Sequence, residues 1–421
     1  METKEQDTNM IDNEHDDNRN VKRHCPSSSS SLSSSSSVNN VSKWSMEENL
    51  AHQELLTKLE NNDASVTSVV CEISNQADCL QIIAALIKNT HVTSVNFEHN
   101  PIGDEGLQAL GDLVLRKNKY TSINVAGCNF TEKALIQFLS NCVNTVNLQL
   151  TELNISKSQY KDPVTFKCTY SVTPPVGKVL CKLLSKKDAK LQTLNMSMNM
   201  FNKDFCKEFM PGLIATKTLQ VLNISHNLIK HEGFQFLYEG LKQNTSLTDL
   251  CFAVTAINGE TVELLAKLCE PINDDSKSPP VYRPYHSLNI CSNYSITSDS
   301  INSFARVFAF HPFLCDVDIS NINIDKPVID KLIECATLYK TIIDLKYNGS
   351  INNEALQKIL LDNRYMSCAQ TLLASKHAEN DNPVTKFVSN GLFDPNLVLD
   401  ILSYTQQTQP TEEKTEKTEK P

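Results

Sequence analysis

One spacing of apolar residues recurs along most of the chain and constrains its fold more than any other feature. In the unit that begins at Val92, apolar residues stand at positions 0, 3, 5 and 10, and a polar residue stands at position 8. Similar units start at Val66, Val92, Tyr120, Val143, Leu191, Leu219, Leu247, Tyr285, Leu314 and Lys340. Most of these starts are 23 to 29 residues apart, which is typical of proteins built from stacked repeats.

The second half of each strong unit carries a helical period. After Val92, apolar residues follow at Leu107, Leu110 and Val114, a spacing that puts three side chains on one face of a helix. Each unit therefore predicts a short strand, a turn and a helix. None of these elements buries its apolar face alone, so we expect the units to stack around a shared core.

Two segments, HVTSVNFEHNPIGDEGLQALGDLVLRKN and LQVLNISHNLIKHEGFQFLYEGLKQN, resemble the leucine-rich repeat proteins, specifically their ribonuclease-inhibitor-type class with long helical repeats. The resemblance extends over roughly residues 66–365. It implies an α/β fold, a right-handed solenoid in a horseshoe arc, with a parallel sheet on the concave face and helices on the convex face. It also implies a binding function, without naming a partner.

Position 8 is where the predicted strand turns inward. A buried Asn side chain there can donate to and accept from main-chain groups that have no sheet partner. The residues at this position are Ser74, Asn100, Cys128, Thr151, Asn199, Asn227, Thr255, Asn293, Ile322 and Asn348. Cys and Thr are tolerated substitutes in the family. Ile322 cannot form these bonds, so we expect the turn at 320–324 to be irregular or solvated.

Two intervals are longer than the period. The first contains residues 151–175, which could hide a degenerate repeat, and the second contains residues 270–285, whose Pro and Asp content is typical of a surface loop. Loops inserted on one face of a solenoid are frequent binding sites, and drift without function is an equal alternative.

The composition at the two ends predicts further segments. Residues 1–44 are acidic and Ser-rich and residues 406–421 are a charged tail, and we expect both to be disordered. A capping helix is predicted at 45–62, the solenoid of about ten repeats at 63–365, and a helical cap at 366–405. No apolar leader and no apolar run of 18 residues occurs, which predicts a cytoplasmic protein without a membrane span, or one in a host cytosol if it is a secreted effector.

The sequence contains no familiar catalytic or metal-binding pattern. Motifs of the types G-x-x-x-x-G-K-[ST], G-x-S-x-G, H-E-x-x-H and C-x-x-C are absent. The formal net charge is -10, which argues against a nucleic-acid surface. We therefore predict no enzyme activity, no cofactor, no metal and no nucleic-acid partner.

Two surfaces are candidates for contact with another protein. Side chains at positions 2 and 4 should project from the concave face, where the earlier strands carry short neutral groups and the later ones carry Asp249, Asp316, Asp318 and Asp344 opposed only by Lys346. This predicts a partner with a basic patch. Alternatively, anchors on the loop edge bind the partner. These are His99, Met198, Met200, His226, Leu228, Tyr294, Tyr160, Tyr282 and Tyr285.

The sequence thus predicts a non-catalytic protein–protein interaction module, a scaffold or adaptor. One alternative is a GTPase-activating regulator of the Ran type, which such repeats followed by an acidic tail resemble, although this tail has mixed charge. Another is an F-box-like ubiquitin-ligase adaptor, because LFDPNLVLDILSY resembles an F-box helix, or a host-directed pathogen effector.

Overall fold

Strands of three residues alternate with helices in the computed structural model of the protein, which describes residues 46–71, 75–272, 280–350 and 353–376. The strands are β1 (Ser68–Val70), β2 (Ser94–Asn96), β3 (Ser122–Asn124), β4 (Glu152–Asn154), β5 (Gln159–Lys161), β6 (Cys168–Tyr170), β7 (Thr193–Asn195), β8 (Val221–Asn223), β9 (Asp249–Cys251), β10 (Ser287–Asn289), β11 (Asp316–Asp318) and β12 (Asp344–Lys346). The helices are α1 (Met46–Glu60), α2 (Gln76–Leu86), α3 (Gly103–Arg116), α4 (Glu132–Asn144), α5 (Pro174–Leu184), α6 (Lys203–Ala215), α7 (Lys230–Gln243), α8 (Gly259–Leu268), α9 (Ser298–Phe310), α10 (Lys326–Tyr339) and α11 (Glu354–Lys376).

Ten of the strands form one parallel sheet in the order β1-β2-β3-β4-β7-β8-β9-β10-β11-β12. The middle residue of each strand is buried against the helical layer, as position 3 of the repeat predicts. These residues are Val69, Val95, Ile123, Leu153, Leu194, Leu222, Leu250, Leu288, Val317 and Leu345. Neighbouring helices pack on one another in chain order. The predicted α/β repeat solenoid is therefore confirmed.

The fourth repeat corrects the predicted register. A strand at 145–147 was expected from the start at Val143, but α4 continues to Asn144 and the strand that joins the sheet is β4. Val146, which would be position 3 of a unit that begins at Val143, is 73% exposed, whereas Leu150 is buried at the strand entry. Leu150 therefore occupies position 0. Residues 151–175 thus contain a repeat strand. They also contain an antiparallel hairpin of β5 and β6.

The last repeat is also shifted. Lys340 was predicted at position 0, but it ends α10 in the left-handed backbone conformation, with φ of 57°. The buried residues Ile342, Leu345 and Tyr347 set the frame two residues later. Asp344 therefore lies at position 2 of its strand.

Buried amide side chains link successive turns. Asn227 is 1% exposed, and its Nδ2 donates to the carbonyls of Met196 at 3.1 Å and Ile224 at 2.8 Å. Its Oδ1 accepts the backbone N–H of Asn199 at 3.0 Å. Asn100, Asn199 and Asn293 make corresponding bonds to the preceding turn. The thiol of Cys128 donates to the carbonyl of Phe97, and the hydroxyl of Thr255 donates to the carbonyl of Phe252.

Four of the residues predicted at position 8 depart from this pattern or are not described. The register shift places Ser158 at the fourth turn, where its N–H donates to Asn199 Oδ1 at 2.8 Å, and Thr151 instead lies beside the strand entry. The Ile322 side chain is 2% exposed, whereas its neighbours Asn321 and Asn323 are exposed. Asn348 lies at position 6, with Ser350 at position 8. Ser74 is outside the described residues.

The ends of the sheet carry helices. Leu59 of α1 is fully buried in the shared core, next to the first repeat, where the N-terminal cap was predicted. Helix α11 runs across the predicted boundary at residue 365. Both predicted disordered tails, the part of the predicted helical cap beyond residue 376 and the F-box-like segment lie outside the described residues. No described helix is long and apolar enough to cross a membrane.

Candidate interaction surfaces

The sheet face, defined as the side chains at positions 2 and 4 of the ten parallel strands, points away from the helices and stays partly or fully exposed. Asn residues occupy position 4 in most strands. In Asn154, Asn195 and Asn223, Oδ1 accepts the backbone N–H two residues later, at 3.0, 3.0 and 3.1 Å. This bond fixes the rotamer of each side chain at the end of its strand. Position 4 of these three strands is therefore a row of ordered, uncharged amides.

Strand register brings the predicted acidic residues together. Asp249, Ser287, Asp316 and Asp344 are successive partners along one row of the sheet. Asp318 pairs with Lys346 in the adjacent row. Because neighbouring strands lie about 4.8 Å apart, Asp316 and Asp344 are close enough to repel each other.

Lys346 is the basic side chain within this cluster. Its Nζ lies 3.1 Å from Asp344 Oδ2 and 3.9 Å from Asp316 Oδ1. The hydrogen bond to Asp344 raises the pKa of Lys346. Burial raises the pKa of Asp316, and Asp344 adds to this effect while Lys346 opposes it. One lysine beside four aspartates leaves this end of the sheet face negative.

The corrected register also changes the earlier part of the sheet face. Glu152 occupies position 2 of β4, and its side chain is exposed. The early strands are therefore not uniformly neutral, contrary to the prediction from the uncorrected frame.

The turn edge, defined as positions 7 and 9 of the repeats, follows the carboxyl ends of the strands. In nine repeats within the described residues, position 7 has a positive φ. These residues are His99, Gly127, Lys157, Met198, His226, Val254, Ser292, Asn321 and Gly349. The conformation lets the N–H at position 7 donate to the carbonyl at position 6 of the next repeat, as from Met198 to Ser225 at 3.0 Å and from Val254 to Cys291 at 3.0 Å.

Several large apolar side chains are exposed along this turn edge. Met198, Met200, Leu228 and Val254 are 39%, 42%, 43% and 37% exposed, and Tyr294 is 80% exposed. They come from four successive repeats, those that begin at Leu191, Leu219, Leu247 and Tyr285. Val254 was missed in the sequence, although position 7 of the repeat could have identified it.

Two other predicted anchors, His226 and His99, also lie at position 7 of the turn edge, and the remaining three do not. His226 is exposed between Met198 and Val254 in the same row of turns. His99 belongs to the second repeat, where its Nε2 lies 3.3 Å from Lys157 Nζ. Tyr160 lies half-buried on the hairpin, and Tyr282 packs edge-on against the ring of His311. Tyr285 is 3% exposed, so this predicted anchor is wrong.

The described residues contain no metal-binding cluster. No group of three or more His, Cys, Asp or Glu side chains there could hold a metal ion. Burial raises the pKa of Cys251 and of Cys291, the two cysteines on the sheet side, so both are protonated thiols at neutral pH.

Comparison with known proteins finds a family model and relatives that match parts of this chain. A family model described as Leucine Rich repeat matches residues 88–111. The chain is 25% identical over 191 residues to human NACHT, LRR and PYD domains-containing protein 13, a match that covers 44% of this chain and 16% of that protein. It is 25% identical over 234 residues to NACHT, LRR and PYD domains-containing protein 4C from Mus musculus, a match that covers 54% of this chain and 22% of that protein. The matched region is thus a small part of each relative.

Proposed function

Because the chain is a leucine-rich repeat protein, we propose that it is a non-catalytic module that binds another protein and acts as a scaffold or adaptor. The observation that carries this proposal is the ten-stranded parallel sheet with its outer face and turn edge open to solvent. Extended surfaces of this kind are what repeat solenoids use for binding. The names of the relatives combine LRR with NACHT and PYD domains, and the matched region covers 16% and 22% of those two proteins.

We further propose that the repeats belong to the ribonuclease-inhibitor-type class and that the protein is cytoplasmic. Repeat helices of 13 and 14 residues, such as α6 and α7, support the class. The twelve cysteines whose side chains the structure describes are free thiols, which supports a reducing compartment. The Ran-type, F-box-like and effector alternatives gain no support, since the reported relatives' names contain none of these descriptions.

The acidic end of the sheet face supports a partner with a basic patch. Asp249, Asp316, Asp318 and Asp344 lie in adjacent rows, and Lys346 neutralises only part of their charge. A partner that presents Lys or Arg there gains complementary charge and a faster, salt-dependent association.

Affinity capture with the full chain followed by mass spectrometry tests the proposal. The variant D249K/D316K/D318N/D344K reverses the acidic end, and Asn at 318 keeps the acceptor for the backbone N–H of Ser320, which lies 3.0 Å from Asp318 Oδ1. A matched control, E105K/E239K/E263K/E334Q, makes the same charge change on exposed helical positions. We expect the partner captured by the wild-type chain and by the control to be lost from the sheet variant. Equal capture by all three would reject the acidic end as the binding surface.

A further inference from the structure

Two unfavourable features coincide at one place on the turn edge. The turn-edge patch, defined as Met198, Met200, Leu228, Val254 and Tyr294, exposes large apolar side chains to solvent. Met198, Met200 and Val254 also have φ of 59°, 55° and 54°, in the left-handed region. That region disfavours side chains with a Cβ, and a β-branched residue most of all.

The repeat itself shows that this combination is not required for folding. At position 7, the same backbone conformation is occupied by Gly127, Asn321 and Gly349 in other repeats. Glycine and asparagine adopt the left-handed region at the lowest cost. Keeping Met198 and Val254 there costs stability and leaves apolar surface in water, so the patch points to a binding role.

The main chain of the patch limits how a partner can bind. The N–H groups of Met198 and Val254 are already bonded to the next repeat, and the N–H of His226 between them donates to the carbonyl of Ala253 at 2.8 Å. These position 7 donors cannot pair with an added β-strand. A partner therefore contacts the patch through its side chains.

The spacing of the patch favours a helix over a strand. Its side chains come from successive repeats, whose strands lie about 4.8 Å apart. Side chains on one face of an α-helix recur about every 5.4 Å, whereas those on one face of a strand recur about every 6.7 Å. Over four repeats, a helical partner stays in phase with the patch and an extended partner does not.

Charge beside the patch defines the partner further. Asp249 lies in the strand that leads to Val254, and Asp318 lies in the strand next to the repeat of Tyr294. We propose that the turn-edge patch docks an amphipathic α-helix of a partner protein. The helix carries apolar residues at i, i+3 or i+4, and i+7, and Lys or Arg on the side that faces the acidic residues. This inference rests on the proposed interaction function and adds a second surface to it.

Two labelled peptides of identical composition test the fit. The peptide LKKLLKLLKKLLKL has an apolar stripe with helical spacing, and LKLKLKLLKLKLKL alternates Leu and Lys, as in a strand, on each side of a central Leu pair. Fluorescence anisotropy with the full chain should show at least about tenfold tighter binding of the first peptide, because only it presents several apolar side chains to the patch at once. Equal affinities would overturn the inference.

Variants of the patch provide the second arm of the experiment. M198G/V254G/Y294S removes three contacts and places glycine where φ is positive, so the variant should fold with undiminished thermal stability. We expect its affinity for the helical peptide to fall about tenfold or more. The control I87S/V146S/L338S removes three apolar side chains that are exposed elsewhere, and should bind within about twofold of the wild-type chain. Undiminished binding by the patch variant, or an equal loss in the control, would overturn the inference.

Failure of this inference is separable from failure of the proposed function. Partner capture that depends on the acidic residues but is unaffected by M198G/V254G/Y294S would contradict docking at the turn-edge patch. The proposed interaction function would then remain supported. Loss of capture in the patch variant alone would support the patch and reject the acidic end.

Discussion

Two repeats hold their strands with different side chains. Before the repeat that begins at Leu247, Asn244 Oδ1 accepts the N–H groups of Ser246 and Leu247, both at 2.9 Å. Before the repeat that begins at Leu314, His311 takes the same place, and its Nδ1 accepts the N–H of Leu314 at 3.0 Å. The strand entry is the same in both repeats, but an imidazole replaces an amide in the second.

The strand exits of the same part of the molecule also differ. The turn that precedes the Leu247 repeat contains Asn227, whose buried amide bonds Met196 and Asn199 of the preceding turn and Ile224 of its own turn. The turn of the Leu314 repeat has the buried Ile322 in the corresponding position. Asn348 of the following repeat accepts the N–H of Asn321 through its side-chain Oδ1 at 2.6 Å, where the turns of the earlier repeats use the main-chain carbonyl at position 6. The backbone turn is therefore preserved while the source of its hydrogen bonds changes.

The largest expected effect tests the interior amide. Asn227→Ala removes bonds to five main-chain groups in a buried site and should lower the free energy of unfolding by about 4 kcal/mol, because those groups lose their partners away from water. Urea denaturation followed by circular dichroism measures it. Asn223→Ala is the control, since its half-exposed Oδ1 accepts one N–H, from Ser225, and its loss should cost about 1 kcal/mol. Similar losses of stability in both variants would contradict a special role for the buried amides at position 8 of the repeat.

The second effect follows from the imidazole at the strand entry. Burial lowers the pKa of His311 to about 4, the hydrogen bond from Nε2 to the carbonyl of Arg283 opposes this shift, and His286 adds to it. The neutral ring is the form that accepts the N–H of Leu314. Its stabilisation is complete above the ordinary value of 6.5 and is lost as pH falls from 6.5 towards 4. We expect a loss of about 3 kcal/mol over this window.

His311→Asn is the variant that isolates this loss. It restores the amide found at Asn244, which does not titrate, so the part of the pH dependence between 6.5 and 4 that belongs to His311 should disappear. Denaturation curves at pH 7 and pH 4 for both proteins give the difference directly. The same pH dependence in both proteins would show that other groups control acid stability.

A smaller effect compares the two strand exits. Asn348→Ala should cost about 1 kcal/mol, less than Asn227→Ala, because Asn348 is exposed and the N–H of Asn321 can bond to water. Urea denaturation of both variants side by side measures the contrast. A loss as large as that of Asn227→Ala would mean that the two turns depend equally on their amides.

The sequence predicted the fold because the apolar period leaves few ways to bury the side chains. It misplaced two strands for a physical reason. Val143, Val146 and Leu148 satisfy positions 0, 3 and 5 as well as Leu150, Leu153 and Ile155 do. Only the second set is buried together, because α4 ends late and the β5–β6 hairpin lengthens the unit. Composition alone does not distinguish the end of a helix from the entry of a strand at this spacing.

The interaction surfaces were predictable to a different extent. The acidic residues were identified by counting positions, but the row that joins Asp249 to Asp316 and Asp344 requires the register of four strands. The turn-edge patch was found only in part, because Val254 is an ordinary residue in the sequence. Its importance comes from a positive φ that the hydrogen bond to the next repeat imposes.

The smallest expected effect asks what Val254 does for the fold itself. If its side chain serves binding, Val254→Gly should raise the free energy of unfolding by about 0.5 kcal/mol, because relief of the left-handed conformation exceeds the backbone entropy that glycine adds. The reverse change at the same repeat position, Gly127→Val, should lower it by about 1 to 2 kcal/mol, since a Cβ there stands 2.8 Å from His99 Nδ1 and φ is 66°. Thermal and urea denaturation of the two variants measure opposite signs. A loss of stability in Val254→Gly would mean that packing, not binding, keeps a β-branched residue in this turn.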